Sequence, residues 1–259
     1  MAQTFIWYEL MTSDQDAATA FYKSVIGWNA SDMLIPEMGD YRYTIVSAGE
    51  RGVGGIAQLS DEMGEAGKRP RWYGYIEVPD TDAAARAIAG KGGAVRVEPA
   101  DIPGVGRFAM VADPGGAAFF LLTPLPQENS PPPADPQDFG AVAWHELYSG
   151  NGEGAAFDFY SELFGWETKE LMDMGPMGKY RLFGAGGEPI GGMMDKPEQV
   201  PLPMWGFYFH VPNLGEAIAR ITEQGGQILH EPHQVPGDSW IVKAMDPQGA
   251  AFALVSKTR

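Results

Sequence analysis

Residues 113–119 read D-P-G-G-A-A-F, and residues 246–252 read D-P-Q-G-A-A-F. Asp-Pro with Gly at the fourth position suits a type I turn, and the apolar residues that follow suit a strand. The two copies lie 133 positions apart. At the same spacing, Trp72, Val78-Pro79, Gly92-Gly93, Glu98-Pro99 and Pro103-Gly104 all recur. Further towards the N-terminus the offset widens. Phe21-Tyr22 and Gly27-Trp28 recur as Phe159-Tyr160 and Gly165-Trp166, and Gly54-Gly55 as Gly191-Gly192. W-Y-E-L (7–10) recurs as W-H-E-L (144–147). That many matches in one order make the chain a duplication.

The joint between the copies is Q-E-N-S-P-P-P-A-D-P-Q-D (127–138), with four prolines and no aliphatic side chain larger than Ala. Its composition predicts an extended linker. The expected domains are module 1 at 1–126, a Pro-rich linker at 127–137 and module 2 at 138–259. Each module divides again. Residues 5–11 are strand-like, and Ser13 or Asp14 caps a helix with apolar positions at Ala17, Ala18, Phe21, Tyr22, Val25 and Ile26. Gly27 stops it. Tyr41–Ala48 and Gly55–Leu59 follow as strands. The second half repeats the plan: strand Tyr73–Val78, an Ala-rich helix from Asp80 or Asp82 to Gly92-Gly93, then strands Ala94–Val97, Phe108–Ala112 and Phe119–Leu122. The expected fold class is α+β, with a β-α-β-β-β unit occurring twice per module.

Bulk properties bound the function. The 259 residues carry a net charge of −16, which repels phosphate backbones and argues against a nucleic-acid partner. The absence of cysteine excludes disulfides, Cys-ligated zinc, iron–sulfur clusters and a Cys nucleophile. No apolar run approaches the roughly 20 residues of a spanning helix, and the N-terminus lacks a basic, apolar leader. The expectation is a cytoplasmic protein without membrane contact.

Tandem β-α-β-β-β units, F-Y-x-x-x-x-G-W after the first helix and D-P-x-G-x-x-F before the last strand resemble the vicinal-oxygen-chelate superfamily of glyoxalases, extradiol dioxygenases and bleomycin-binding proteins. W-x-E-L in both halves resembles its tandem glyoxalase-like "hydroxylase" or "antigen" type. The resemblance implies curved, cup-like mixed sheets with helices outside. It also implies four ligand positions for a divalent metal. These fall on Trp7 and Trp144, on Gln58 or Asp195, on Tyr73 or Gly206, and on Phe120 or Ala253. Indole, phenyl, methyl and hydrogen are not metal ligands, so no standard metal site and no cofactor are expected.

Strand parity puts Trp7, Glu9 and Met11 on one face, and Trp144, Glu146 and Tyr148 on its counterpart. Tyr73, Tyr75 and Glu77 share a face, as do Gly206, Tyr208 and His210. The expected catalytic residues are Glu9, Glu146 and His210. Trp7, Trp144, Tyr73, Tyr75, Glu77, Phe120 and Tyr208 are the expected substrate-binding residues, with Arg42 and Arg181, in matched Tyr-Arg pairs, as counterions. Whether Glu9 faces Glu77 or His210 stays open. His230 and His233 read as a solvated edge. Three functions compete: a metal-independent protein that binds a small, partly apolar molecule, with lyase or isomerase chemistry from a Glu base; a non-catalytic binder of the antibiotic-sequestering kind; and a metalloenzyme with Glu9 or Glu146 and His210 as unusual ligands. A duplicated chain replaces a homodimer, so a monomer is expected.

Overall fold

The computed structural model describes residues 3–35, 41–59, 69–126 and 134–259. Most of the expected linker, residues 127–133, lies outside them. Module 1 contains β1 (Phe5–Thr12), α1 (Gln15–Ile26), β2 (Asn29–Ile35), β3 (Tyr41–Ala48), β4 (Arg51–Gln58), β5 (Arg71–Glu77), α2 (Thr81–Gly90), β6 (Ala94–Ile102), β7 (Gly106–Ala112) and β8 (Ala118–Pro124). Module 2 contains β9 (Val142–Ser149), α3 (Glu153–Phe164), β10 (Glu167–Asp173), a 3-10 turn at Gly175–Met177, β11 (Lys179–Gly184), β12 (Gly191–Asp195), β13 (Met204–His210), α4 (Leu214–Glu223), β14 (Gln227–Val235), β15 (Ser239–Met245) and β16 (Ala251–Ser256). The class is α+β, and each unit is β-α-β-β-β.

Local chemistry sets the helix ends. The Asp14 carboxylate accepts from the Ala17 amide at 3.0 Å, and Asp80 does the same for Ala83 at 2.8 Å. Gly27 and Gly165 close α1 and α3 with φ of 90° and 73°, a region that costs glycine little. Strands β2 and β10 went unread in the sequence. N-A-S-D-M-L-I and E-T-K-E-L-M-D are polar because each is an outermost strand, so burial imposes little alternation on them.

Each module forms one open, mixed, eight-stranded sheet. The orders are β2-β3-β4-β1-β5-β8-β7-β6 and β10-β11-β12-β9-β13-β16-β15-β14. The sheets follow the repeat, but the compact units do not. One unit takes the described residues of 1–6, 73–129 and 144–206, and the other those of 7–72, 130–143 and 207–259. Each unit therefore joins the first half of one module to the second half of the other.

A repeated polar connection runs inside each unit. In the second unit, Trp72 Nε1–H donates to Tyr22 Oη at 2.9 Å, and Tyr22 donates to Asp246 Oδ2 at 3.0 Å. In the first, Trp205 donates to Tyr160 at 3.0 Å, and Tyr160 to Asp113 at 3.1 Å. Asp113 and Asp246 also receive turn amides, from Ala117 and Ala250, each at 2.8 Å. The Asp of D-P-x-G thus closes its own turn and anchors the F-Y helix of the other module. Phe252 lies edge-on to Phe21 and Tyr22, while Phe119 packs on Tyr160 and Phe164. Burial raises the carboxyl pKa of Asp113 and Asp246 and pushes the Tyr22 and Tyr160 hydroxyls far up, so these tyrosines remain donors.

Candidate functional site

W-x-E-L and G-G belong to one arrangement. Strand β1 runs parallel to β4, with Glu9 opposite Gly55 and Met11 opposite Ala57. Antiparallel β3 then places Tyr43 opposite Ala57. Trp7 Nε1–H donates to Tyr43 Oη at 2.8 Å, and Tyr43 donates to Glu9 Oε2 at 3.0 Å. The direction is fixed, because an indole can only donate and a phenol has one hydrogen to give.

Module 2 repeats the arrangement. Trp144 Nε1–H donates to Tyr180 Oη at 2.9 Å, and Tyr180 donates to Glu146 Oε1 at 3.2 Å. Tyr148 adds a short hydrogen bond to Glu146 Oε2. The position of Tyr148 in module 1 is Met11, which has no hydroxyl.

The paired glycines make both arrangements possible. A Cβ on Gly54 would strike the Tyr8 carbonyl, and one on Gly191 the His145 carbonyl. A Cβ on Gly55 would sit inside the Tyr43 ring, and one on Gly192 inside the Tyr180 ring. The first glycine lets two strands approach. The second gives the tyrosine a flat path across β4 or β12 to its glutamate.

Glu9 and Glu146 are 7% and 6% exposed, too buried for bulk water to hold their charge unaided. Burial, and then the nearby Glu charge, push the Tyr43 and Tyr180 hydroxyls well up. Tyr41 rises to about 12 for the same two reasons. The phenols therefore stay protonated and donating across the physiological range.

The other expected residues separate into three groups. Tyr73, Tyr75 and Phe120 come together, with the Tyr75 ring stacked on Phe120 at 4.4 Å and Tyr73 edge-on at 5.6 Å. Tyr208 is buried, with the Lys243 ammonium 5.9 Å from its ring centre. Glu77 ends β5 exposed to solvent, not on a buried wall.

His210 is held by the chain entering β9: its Nδ1–H donates to the Gln137 carbonyl at 2.8 Å, its ring packs on Phe139, and burial lowers its pKa.

The arginine expectation is also corrected. Arg42 pairs with Asp16 at 2.6 Å and bonds Gln15, while Arg181 pairs with Glu153 at 2.6 Å and lies over the Phe157 ring. Both reach towards helices. They flank Tyr43 and Tyr180 in sequence, and alternation turns them to the opposite face. The donors at the glutamates are tyrosines, and the sequence reading missed them by aligning Tyr41 with Tyr180. The 137-residue offset of the G-G pair selects Tyr43 instead.

The ligand positions implied by the resemblance do not fit a metal. Trp7 and Trp144 present only N–H donors. Gln58 Oε1 accepts the Gln15 amide at 3.2 Å, and Asp195 accepts the Glu153 amide at 2.7 Å, so both are tied to helix starts. Among the described residues no group of three or more His, Asp or Glu is placed to hold an ion. His230 and His233 pack together at 4.8 Å on outermost strand β14, each bonded to the Glu231 carbonyl.

Comparison with known proteins gives the family of this fold. The family model described as Glyoxalase/Bleomycin resistance protein/Dioxygenase superfamily matches residues 4–121 and 151–254. "Putative glyoxylase CFP32" of Mycobacterium tuberculosis is 32% identical over 250 residues, covering 96% of this chain and 93% of its own length. "Anthracycline biosynthesis protein DnrV" of Streptomyces peucetius is 28% identical over 260 residues, covering 96% and 91%. The crystal structure of the Mn(II)-bound glyoxalase from Novosphingobium aromaticivorans superposes with a TM-score of 0.67 at 15% identity, covering 100% of this chain and 83% of that one; this likeness is one of fold. No helix among the described residues is long and apolar enough to cross a membrane. With both repeats matched and nearly the whole chain aligned to full-length relatives, the protein belongs to the glyoxalase/bleomycin resistance protein/dioxygenase superfamily.

Proposed function

We propose that the protein binds a small, partly apolar carbonyl compound and that Glu9 is its general base. The observation that carries this reading is the one-way hydrogen-bond chain Trp7→Tyr43→Glu9. It orients a buried carboxylate, while Arg42 pairs with Asp16. A carboxylate so held suits removal of a proton from a C–H or O–H beside a carbonyl, the core step of metal-free lyase and isomerase chemistry. Tyr43, protonated and adjacent, fixes the carboxylate plane. No step is routed through a metal, because the donor set does not fit one.

In module 2 the two Glu146 oxygens receive Tyr180 and Tyr148, and Met11 stands at the position of Tyr148 in module 1. The anthracycline-biosynthesis relative supports a planar, polycyclic class of ligand. The chain acts as a monomer.

The test starts from a thermal-shift screen of dicarbonyls, aromatic ketones and aromatic acids. A ligand at about 100 times its Kd stabilises by about 2.7 kcal/mol, well within detection. With a turned-over hit, Glu9→Gln loses about 10²–10⁴ in kcat and keeps its affinity. Full turnover by Glu9→Gln would overturn the reading.

A further inference from the structure

Strand β3 brings two tyrosines to the face that carries Glu9. Tyr41 and Tyr43 are two positions apart, so both point the same way, about 6.5–7 Å from each other along the strand. Tyr43 has given its hydrogen to Glu9 Oε2 at 3.0 Å. Tyr41 still has its own to give. Its ring is half-buried, and among the described residues its oxygen has no hydrogen-bond partner. The buried side-chain atoms that lack a partner among those residues are Arg220 Nε and Gln248 Oε1, so the Tyr41 hydroxyl is not sealed in; it opens to solvent.

The electrostatics tie Tyr41 to the same place. Burial and then the Glu9 charge push its hydroxyl up to about 12, and Tyr41 in turn helps raise Tyr43. Tyr41 therefore keeps its proton across the physiological range. Taking a proton from the carbon beside a carbonyl leaves negative charge on the carbonyl oxygen, and a base alone does nothing to stabilise it. Tyr43 cannot help, because a phenol has one hydrogen and Glu9 holds it. Tyr41 can. Module 2 places Gly178 at this position, with φ of 80°, and draws its second phenol from Tyr148 on β9, which already bonds Glu146.

We propose that Tyr41 is the oxyanion donor of the Glu9 site, and that the substrate is a ketone or aldehyde with a hydrogen on the carbon next to its carbonyl. This rests on the reading of Glu9 as the base and narrows it to C–H rather than O–H substrates. In the step, the C–H bond breaks and its proton goes to the Glu9 carboxylate. Its electron pair becomes the C=C bond of an enolate, and the carbonyl π pair moves onto oxygen. The Tyr41 O–H donates to that oxygen and keeps its proton. Return of the proton from Glu9 to carbon completes an exchange or an isomerisation.

The probes are 2-tetralone, an enolisable aromatic ketone, and 2-naphthol, which has the shape of its enol, with naphthalene as the control that lacks the oxygen. In fluorescence titrations the full chain is expected to prefer 2-naphthol over naphthalene by about tenfold or more, and Tyr41→Phe to lose that preference while keeping its naphthalene affinity. In deuterium exchange at C1 of 2-tetralone followed by NMR, Tyr41→Phe is expected to lose about 10²–10³ in kcat with KM little changed. The hydroxyl bonds no described residue, so the variant is expected to melt with the wild type. No binding of 2-naphthol, an intact preference in Tyr41→Phe, or undiminished exchange in Tyr41→Phe overturns the proposal. Glu9→Gln separates the two readings: it is expected to abolish exchange while keeping the 2-naphthol preference. Exchange that survives Glu9→Gln removes the base, whereas exchange lost in Glu9→Gln and kept in Tyr41→Phe removes the donor alone.

Discussion

Glu9 is kept in place by a residue that has no side chain. Gly55 lies under the Tyr43 ring, and a Cβ there would occupy the ring's own position. Gly55→Ala is expected to cost about 1–3 kcal/mol by overpacking, but far less in a Tyr43→Ala background, where the ring is gone. Urea unfolding of the double-mutant cycle measures the difference, and additive costs would remove the explanation. His145, beside Glu146 in the chain, gives a pH signature. It is stacked on Phe5 at 4.6 Å, donates Nδ1–H to the Ile190 carbonyl at 2.7 Å, and burial lowers its pKa from 6.5 to about 4. Between these values the unfolded chain binds the proton and the native chain does not. Stability from this group is therefore present above pH 6.5 and lost as pH falls towards 4, by about 3 kcal/mol in all. A melting-temperature series over that range, set against His145→Leu, should show a steeper acid decline in the wild type. The sequence showed W-x-E-L and G-G as repeats and put the Trp and Glu of each motif on one face, where they share a tyrosine. It did not show the tyrosine joining them, because that contact spans three strands and depends on register.

Elements were legible where burial imposes a pattern and illegible where it does not. Helix α1 was read from its capping residue to Gly27 because Phe21, Tyr22, Val25 and Ile26 are all buried. β2 and β10 were missed because their outward positions are free to be polar. The D-P-x-G turn was recognised as a turn, yet its aspartate does more than bend the chain. Tyr22→Phe leaves the Asp246 carboxylate and the Trp72 N–H each short of a buried partner, as Tyr160→Phe does for Asp113 and Trp205. Each change is expected to cost about 2–3 kcal/mol by chemical denaturation, against near zero for removal of an exposed tyrosine hydroxyl.

For the molecule as a whole, the repeat boundary and the compact units disagree, and their disagreement makes a prediction. Residues 1–126 expressed alone keep Tyr22 and Trp72 but lose Asp246 and Phe252. They retain the equivalents Asp113 and Phe119, so a second copy can supply what module 2 supplies. Light scattering of that fragment is expected to give a dimer; a stable monomer would show that the Tyr–Asp connection is dispensable. The duplication was evident from the sequence, but this exchange of halves was not, since matching repeats say nothing about which copies meet. It bears on how the chain is made. Tyr22 and Asp246 are 224 positions apart. At a synthesis rate of about 5–20 residues per second, α1 leaves the ribosome roughly ten to forty-five seconds before its partner turn. Through that interval Tyr22 of α1 packs on Trp28 and Trp72 and lacks Asp246 and Phe252, and the nascent chain is exposed to chaperones and to its neighbours on the same message.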